Sequence, residues 1–398
     1  MTRLDARLKC TRLGHMVAAV AATTALSSMA LAQDAMDEAR VAHQEQIDQL
    51  EQRMPLGPHR AQKLGMKIQW QFESPHPIVH FFPADDSVYL INHHNELSRV
   101  DGQKGTLRWH THGGTRADQI IDVIALNDLD RILVLRSTSI LTVAKSTGNP
   151  ASIGEARGSR QPLEWLAATP GVVNGPFLIY GGLGGELSWQ GYTHGFTEAA
   201  HRIGRRIETT PVLVGNLVIA ASHSGDVYGL DANTRRTRWM TPLLGKPVGP
   251  VALLDKLLYV ASDDQHLRAI NTNTGIVEWA RLLEAPLNHG PFAVGDKIYQ
   301  QVPQRGLVCM EARPQHAPEG EEAWTATDVT GNVIASDGGM LITWDPAQRR
   351  MQSVSAATGA VEFTAHIPEA TGVIAKGDSI YIRGRTSQLQ SLQFRSSN

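Results

Sequence analysis

Cysteine is nearly absent. The chain has two in 398 residues, Cys10 and Cys309, so neither a disulfide framework nor a cysteine-built metal site can be assembled. Excess charge of one sign is missing too. A formal net charge of −2 gives no electrostatic reason to expect a nucleic-acid partner. No apolar stretch is long enough to span a bilayer comfortably: the best, Met16–Leu26, carries Thr23 and Thr24 and is followed by Ser27 and Ser28. The glycine-rich run Gly181-Gly-Leu-Gly-Gly185 lacks the Lys-Ser/Thr of a phosphate loop and stands between strand-like runs, not before a helix. No serine stands in a recognisable nucleophile elbow, and no catalytic residue can be named. Aromatic residues are only 6% of the chain, yet hydrophobic residues reach 42%, enough for a large core. The few aromatics are spaced with a regularity that organises everything else.

The amino terminus reads as an export signal over residues 1–32. Arg3, Arg7, Lys9 and Arg12 make a basic start, the short apolar run follows, and Ala30-Leu31-Ala32 is a small-x-small cleavage site. A membrane anchor is the other reading, and the hydroxyl residues count against it. Removing four basic residues and Asp5 takes the charge from −2 to −5 and leaves Cys309 as the one cysteine. No cysteine follows the cleavage site, so no lipid anchor is expected. Residues 33–62 change character. The stretch 34–54 has no Gly or Pro, places Val41, Ile47, Leu50 and Met54 roughly on one face, and stops at Pro55-Leu-Gly-Pro58. This predicts a short helix, either a cap or spacer or an arm for a partner or self-association.

From about residue 63 to 398 the pattern is strand-turn-strand. Asn271-Thr-Asn-Thr-Gly-Ile-Val-Glu-Trp279 recurs as Asp101–Trp109, Asp231–Trp239 and Ser355–Phe363. Each reads as a hairpin corner. Glycine, as at Gly275 and Gly359, supplies a positive φ, Asp or Asn bonds the turn backbone, and an aromatic plugs the end of the next strand. Trp70 to Trp109 is 39 residues, Trp239 to Trp279 is 40, Trp279 to Trp324 is 45 and Trp324 to Phe363 is 39. Short strands repeating in the forties predict an all-β propeller of four-stranded antiparallel blades. Plugs at 70, 109, about 152, about 202, 239, 279, 324 and 363 predict eight blades; seven is the alternative if 150–206 holds one blade. The chain ends on three strands, and Lys67–Phe72 is a plugged strand with nothing before it. Pairing the two closes the ring and removes an exposed edge.

These corners, the Gly225-Asp-Val-Tyr-Gly-Leu-Asp231 strand and the Thr-Pro or Gly-Pro starts at 210, 249 and 290 resemble the PQQ-like, or quinoprotein-type, β-propeller repeat family over roughly 67–398. The resemblance implies the fold directly and function only by branch. Quinone-dependent dehydrogenases of the family hold PQQ with a calcium or lanthanide ion, and many carry a vicinal disulfide. This chain is shorter, has no adjacent cysteines, and shows no compact acidic cluster for such an ion. The non-catalytic branch, similar to the BamB-type propellers of outer-membrane protein assembly, fits its length and export signal. It implies a monomeric interaction scaffold without a cofactor, in the periplasm or at the cell surface, with envelope proteins or exported polypeptides as partners. The missing lipid anchor is the departure. A carbohydrate-binding or sensor propeller is a third reading, but tryptophans at blade corners read as core packing, not as a sugar ladder.

Turns joining second and third strands must all lie on one face of a propeller. Here they carry His93, His94, His223, Asp263, Asp264, Arg305, Arg383 and Arg385, the candidate residues for steering or docking a partner. His110 and His112, alternate residues of one strand, share a face and are either solvated or the start of a metal site that lacks a third ligand.

Overall fold

The computed structural model describes residues 36, 38–46, 49, 54–114, 117–126, 128–156, 158–207, 209–314 and 319–395. The export-signal reading of 1–32 lies outside them. The chain divides into two units, 1–59 and 60–398. In the first, residues 38–46 are helical with Val41 exposed, while Ile47 and Leu50 of the anticipated stripe lie outside the described residues. Pro58 does more than stop a helix. It opens another, Pro58–Lys63, as a proline at the first helical position does.

The second unit contains eight four-stranded antiparallel sheets, so the seven-blade alternative is corrected. Blades 1 to 7 occupy 78–112, 120–162, 167–202, 212–242, 252–282, 292–326 and 332–366. Blade 8 is composite: Gly372–Lys376, Ser379–Arg383 and Gln388–Phe394 are completed by Met66–Glu73. Met66 sits opposite Phe394 and Glu73 opposite Gln388. The region 150–206 misleads because the outer strand of blade 2 is only Arg160–Pro162.

The core is a ring of layers between neighbouring blades. One joins blades 1 and 2 through Tyr89, Trp109, Ile132 and Val143; another joins blades 5 and 6 through Tyr259, Trp279, Ile298 and Met310. Second strands are apolar on both faces, as in Leu257–Ala261, because each side meets another blade.

The corners hold these layers in register. Asp101, Asp231 and Asn271 accept turn amides through their side-chain oxygens. The tryptophan, however, docks on the next blade rather than on its own corner. Indole N–H groups of Trp70, Trp109, Trp239, Trp279 and Trp324 donate to the carbonyls of Gly102, Lys145, Thr272, Ala312 and Ala356 at 2.8–3.0 Å. Two blades lack a buried aromatic on the outer strand and fill the place otherwise. Gln161 donates to the Tyr192 carbonyl at 2.7 Å. Trp189, fully buried on the third strand of blade 3, donates to Ala232 at 3.1 Å. Phe363 has no N–H to donate and needs none. The third and fourth strands of blade 8 come from opposite ends of the chain, so no corner carbonyl stands beside it.

Candidate partner-binding face

Strands alternate in direction, so the second-to-third turns share a face with the blade-to-blade connections. Backbone hydrogen bonds stitch the two sets together. Gly113 N–H reaches the Asn95 carbonyl, Leu163 reaches Thr138, Leu183 reaches Leu166, His223 reaches Arg206, Asp263 reaches Lys246 and Thr371 reaches Arg383. A loop face whose polar backbone is satisfied internally is a rigid platform for side chains.

All eight candidate residues lie on this face, but in different states. Asp264 is bonded by Arg268 at 2.5 Å, and by Ser262. Burial alone would raise its pKa, yet those bonds prevail and hold it down to about 2. Arg305 is paired with Glu322, which also takes Arg281 at 2.9 Å. Arg383 is half-buried and bonded to Thr371. Asp263 accepts the Lys246 amide at 2.6 Å. Arg385 makes a solvent-edge pair with Glu369 at 3.4 Å, of small energetic weight. His223 is exposed at its turn. His93 and His94 lie against each other, ring centroids 3.8 Å apart and planes tilted by 44°, and His76 packs edge-on against His94 at 4.8 Å.

The Asp264 pair sets a pH limb. A carboxyl depressed in the folded state contributes stability that is complete above its unfolded pKa, near 3.8, and lost as pH falls toward about 2. Thermal unfolding of Asp264→Asn should therefore be flatter than the parent between about pH 4 and pH 2, while losing Tm near neutrality because Arg268, nearly buried, keeps no counter-charge.

A patch that sequence reasoning missed crosses blades 2 to 4. Leu166, in the connection between blades 2 and 3, is 50% exposed, and Leu183, in the turn of blade 3, is 48% exposed. Trp165 stands beside them, half-buried. Arg160 and Arg202 lie at the neighbouring strand ends, and Arg205 and Arg206 in the next connection; all four are exposed. Farther round, Leu244 is 89% exposed. The signal was present as Leu163-Glu-Trp-Leu166, four residues too apolar for an ordinary loop.

Burial pushes the Cys309 thiol up to about 12, which leaves it without nucleophilic character. His110 and His112 share the outer strand of blade 1, but among the described residues no group of three or more His, Cys, Asp or Glu could hold a metal ion. Asp122, on the inner strand of blade 2, has its pKa raised by burial and accepts the Gly171 and Val123 amides.

Eight four-stranded blades, six of them docked through an indole on the neighbouring corner and the ring closed by a strand from the opposite terminus, define a propeller of the PQQ-like repeat class. The family model described as outer membrane protein assembly factor BamB matches residues 181–397, more than half of the chain, and the chain belongs to that family. No curated protein matches. Among solved structures, BamB from Moraxella catarrhalis is similar with a TM-score of 0.66 at 16% identity, over 84% of this chain and 99% of that one. The computationally designed Ika8 protein has a TM-score of 0.62 at 10% identity, over 81% and 97%. Quinohemoprotein alcohol dehydrogenase from Comamonas testosteroni has 0.59 at 11%, over 84% and 77%. At these identities the likeness is one of fold.

Proposed function

We propose that the chain is a non-catalytic protein-interaction scaffold of the cell envelope, exported to the periplasm or cell surface, working as a monomer without a cofactor. Family membership supports this reading, and so does its match to a model of an outer-membrane assembly factor. No helix among the described residues is long and apolar enough to cross a membrane. The observation that carries the reading is the patch of Leu166 and Leu183 with Arg160, Arg202, Arg205 and Arg206 around it, of which Arg160 is paired with Asp118 at 3.4 Å and Arg202 with Glu186 at 3.3 Å. An exposed apolar centre with a basic rim on a rigid face is the anatomy of a docking site. Its charge selects a segment with apolar anchors between acidic residues.

The test is photocrosslinking in cells that produce the chain. A crosslinker at Leu166 or Leu183 should yield a discrete protein adduct. One at Ile276, exposed at a corner on the opposite face, should not. Leu183→Asp should cut the Leu166 adduct by about tenfold, the size expected when a central apolar contact is lost. Equal adducts at Leu166 and Ile276, or an adduct unmoved by Leu183→Asp, would remove this face as the docking surface.

A further inference from the structure

On the face opposite the turns, three junctions between blades are pinned by a cation. In each case the cation comes from the corner of the following blade and reaches the inner-strand turn of the preceding one. Lys145 pairs with Asp85, and with Asp86 at 3.3 Å, between blades 1 and 2. Arg235 lies 5.3 Å over the Phe177 ring between blades 3 and 4. Arg313 meets Asp255 at 2.7 Å between blades 5 and 6. Between blades 6 and 7 the sequence lacks the cation and keeps one carboxylate, Asp296 at the place of Asp86. The corner reads Ser355-Ala-Ala-Thr-Gly359, with Ala357 at the place of Arg313, and the turn reads Val294-Gly-Asp-Lys297, with Gly295 at the place of Asp255.

A cleft of about 540 Å³ opens there, lined among others by Val294, Tyr299, Met340, Leu341, Ala356 and Ala357. At the junction before it, the Tyr259 hydroxyl donates to the Ala312 carbonyl at 3.0 Å and closes the gap. At the equivalent place here the Ala356 carbonyl takes the Trp324 indole at 3.0 Å. Two carboxylates stand at the rim of the cleft. Asp296 has a side chain 84% exposed. Asp337 has no ion-pair partner among the described residues and ends the inner strand Asn332–Asp337 on the other wall, exposed. The cation at the cleft, Lys297, is already held by Glu311 at 2.8 Å and by Asp296 at 3.2 Å.

We propose that this cleft is a second docking site, independent of the turn-face patch, and that it receives an arginine side chain of a partner polypeptide in the place that Arg313 fills at the neighbouring junction. The apolar walls take the stem and a flanking apolar residue. Asp296 and Asp337 face the guanidinium, whose planar fork suits carboxylates. The occupant is a basic-apolar segment, of opposite charge to the one the turn face selects, so one scaffold can hold two different segments on its two faces.

The experiment uses the full chain with labelled methionine methyl groups and the tripeptide Ac-Leu-Arg-Leu-NH2 as probe. The Met340 methyl signal, assigned with Met340→Leu, should shift saturably with this peptide and not with Ac-Leu-Glu-Leu-NH2. Asp337→Asn should weaken binding roughly twofold to fivefold, the range for a solvent-edge ion pair. Ala357→Arg should abolish it by filling the cleft from within. If Ala357→Arg does not fold, Asp337→Asn and Asp296→Asn, both at exposed positions, decide the matter. An absent shift, an equal shift with the glutamate peptide, or binding indifferent to all three substitutions would overturn the proposal. None of these outcomes bears on crosslinking at Leu166.

Discussion

A chain that begins at Ser74, and so lacks Met66–Glu73, should fail to show one cooperative unfolding transition and should aggregate at concentrations where the intact chain is soluble. This strand forms the fourth layer of blade 8 and pairs along the length of Gln388–Phe394. Its loss unpairs the outer edge of that strand, a ready template for association with another chain. It also removes Trp70, which is buried, packs on Tyr381 with ring centroids 6.0 Å apart, and bonds the Gly102 carbonyl of blade 1 at 2.8 Å. One deletion therefore opens the ring at two places: within blade 8 and between blades 8 and 1. The point substitution Trp70→Ala isolates the second. It should cost about 3–5 kcal/mol, as loss of a large buried aromatic does, without exposing an edge. Denaturant unfolding followed by tryptophan fluorescence and by far-UV circular dichroism checks both. If the truncated chain unfolds in one transition with an unchanged midpoint, ring closure is not what stabilises the propeller.

The same strand shows why closure was legible in the sequence. Lys67–Phe72 has a plug and no preceding strand, and the carboxyl end has three strands and no plug. A propeller has one way to reconcile these. The corners were legible because their turn chemistry is local: Asp231 bonds the amides of Asn233 and Thr234, two and three residues on. What the corner docks on was not legible. Gly275 meets Trp239, 36 positions earlier in the chain, and not Trp279 of its own repeat. The worn blades hid for a related reason. Docking needs an N–H and enough volume at the neighbour's carbonyl, and Gln161 or a third-strand Trp189 meets that need without keeping the spacing. For the partner face, topology placed the turns correctly from strand count alone. It could not say that Arg305 is committed to Glu322 or Asp264 to Arg268, because those pairings depend on side-chain reach across a folded blade. Leu166 and Leu183 escaped because 17 residues separate them in sequence and one hydrogen bond joins their backbones in space.

The corner glycines give the second large effect. Gly275 has φ +73°, and a Cβ added there would lie 2.7 Å from ring carbons of Trp239. Gly275→Ala should therefore lose about 1–2 kcal/mol from the left-handed backbone and a further 1–3 or so from overpacking against a buried ring. Gly215 is the control. Its φ is +57°, but nothing lies within 4 Å of its Cβ position, so Gly215→Ala should lose only the backbone share, about 1–2 kcal/mol. Arg235 shows that the corner backbone itself tolerates a side chain. It holds φ +62° at the equivalent place in blade 4, where the docked indole is Trp189, supplied from a third strand. A double-mutant cycle then separates strain from collision. Trp239→Ala alone should be severely destabilising, yet in its background Gly275→Ala should cost no more than Gly215→Ala, a coupling of about 1–3 kcal/mol between the two positions. Strict additivity would mean that the ring is not the obstacle and that the glycine is there for its backbone alone. A coupling of the expected size would mean that corner and indole form one joint, built from two repeats, and that each blade is held as much by its neighbour's sequence as by its own.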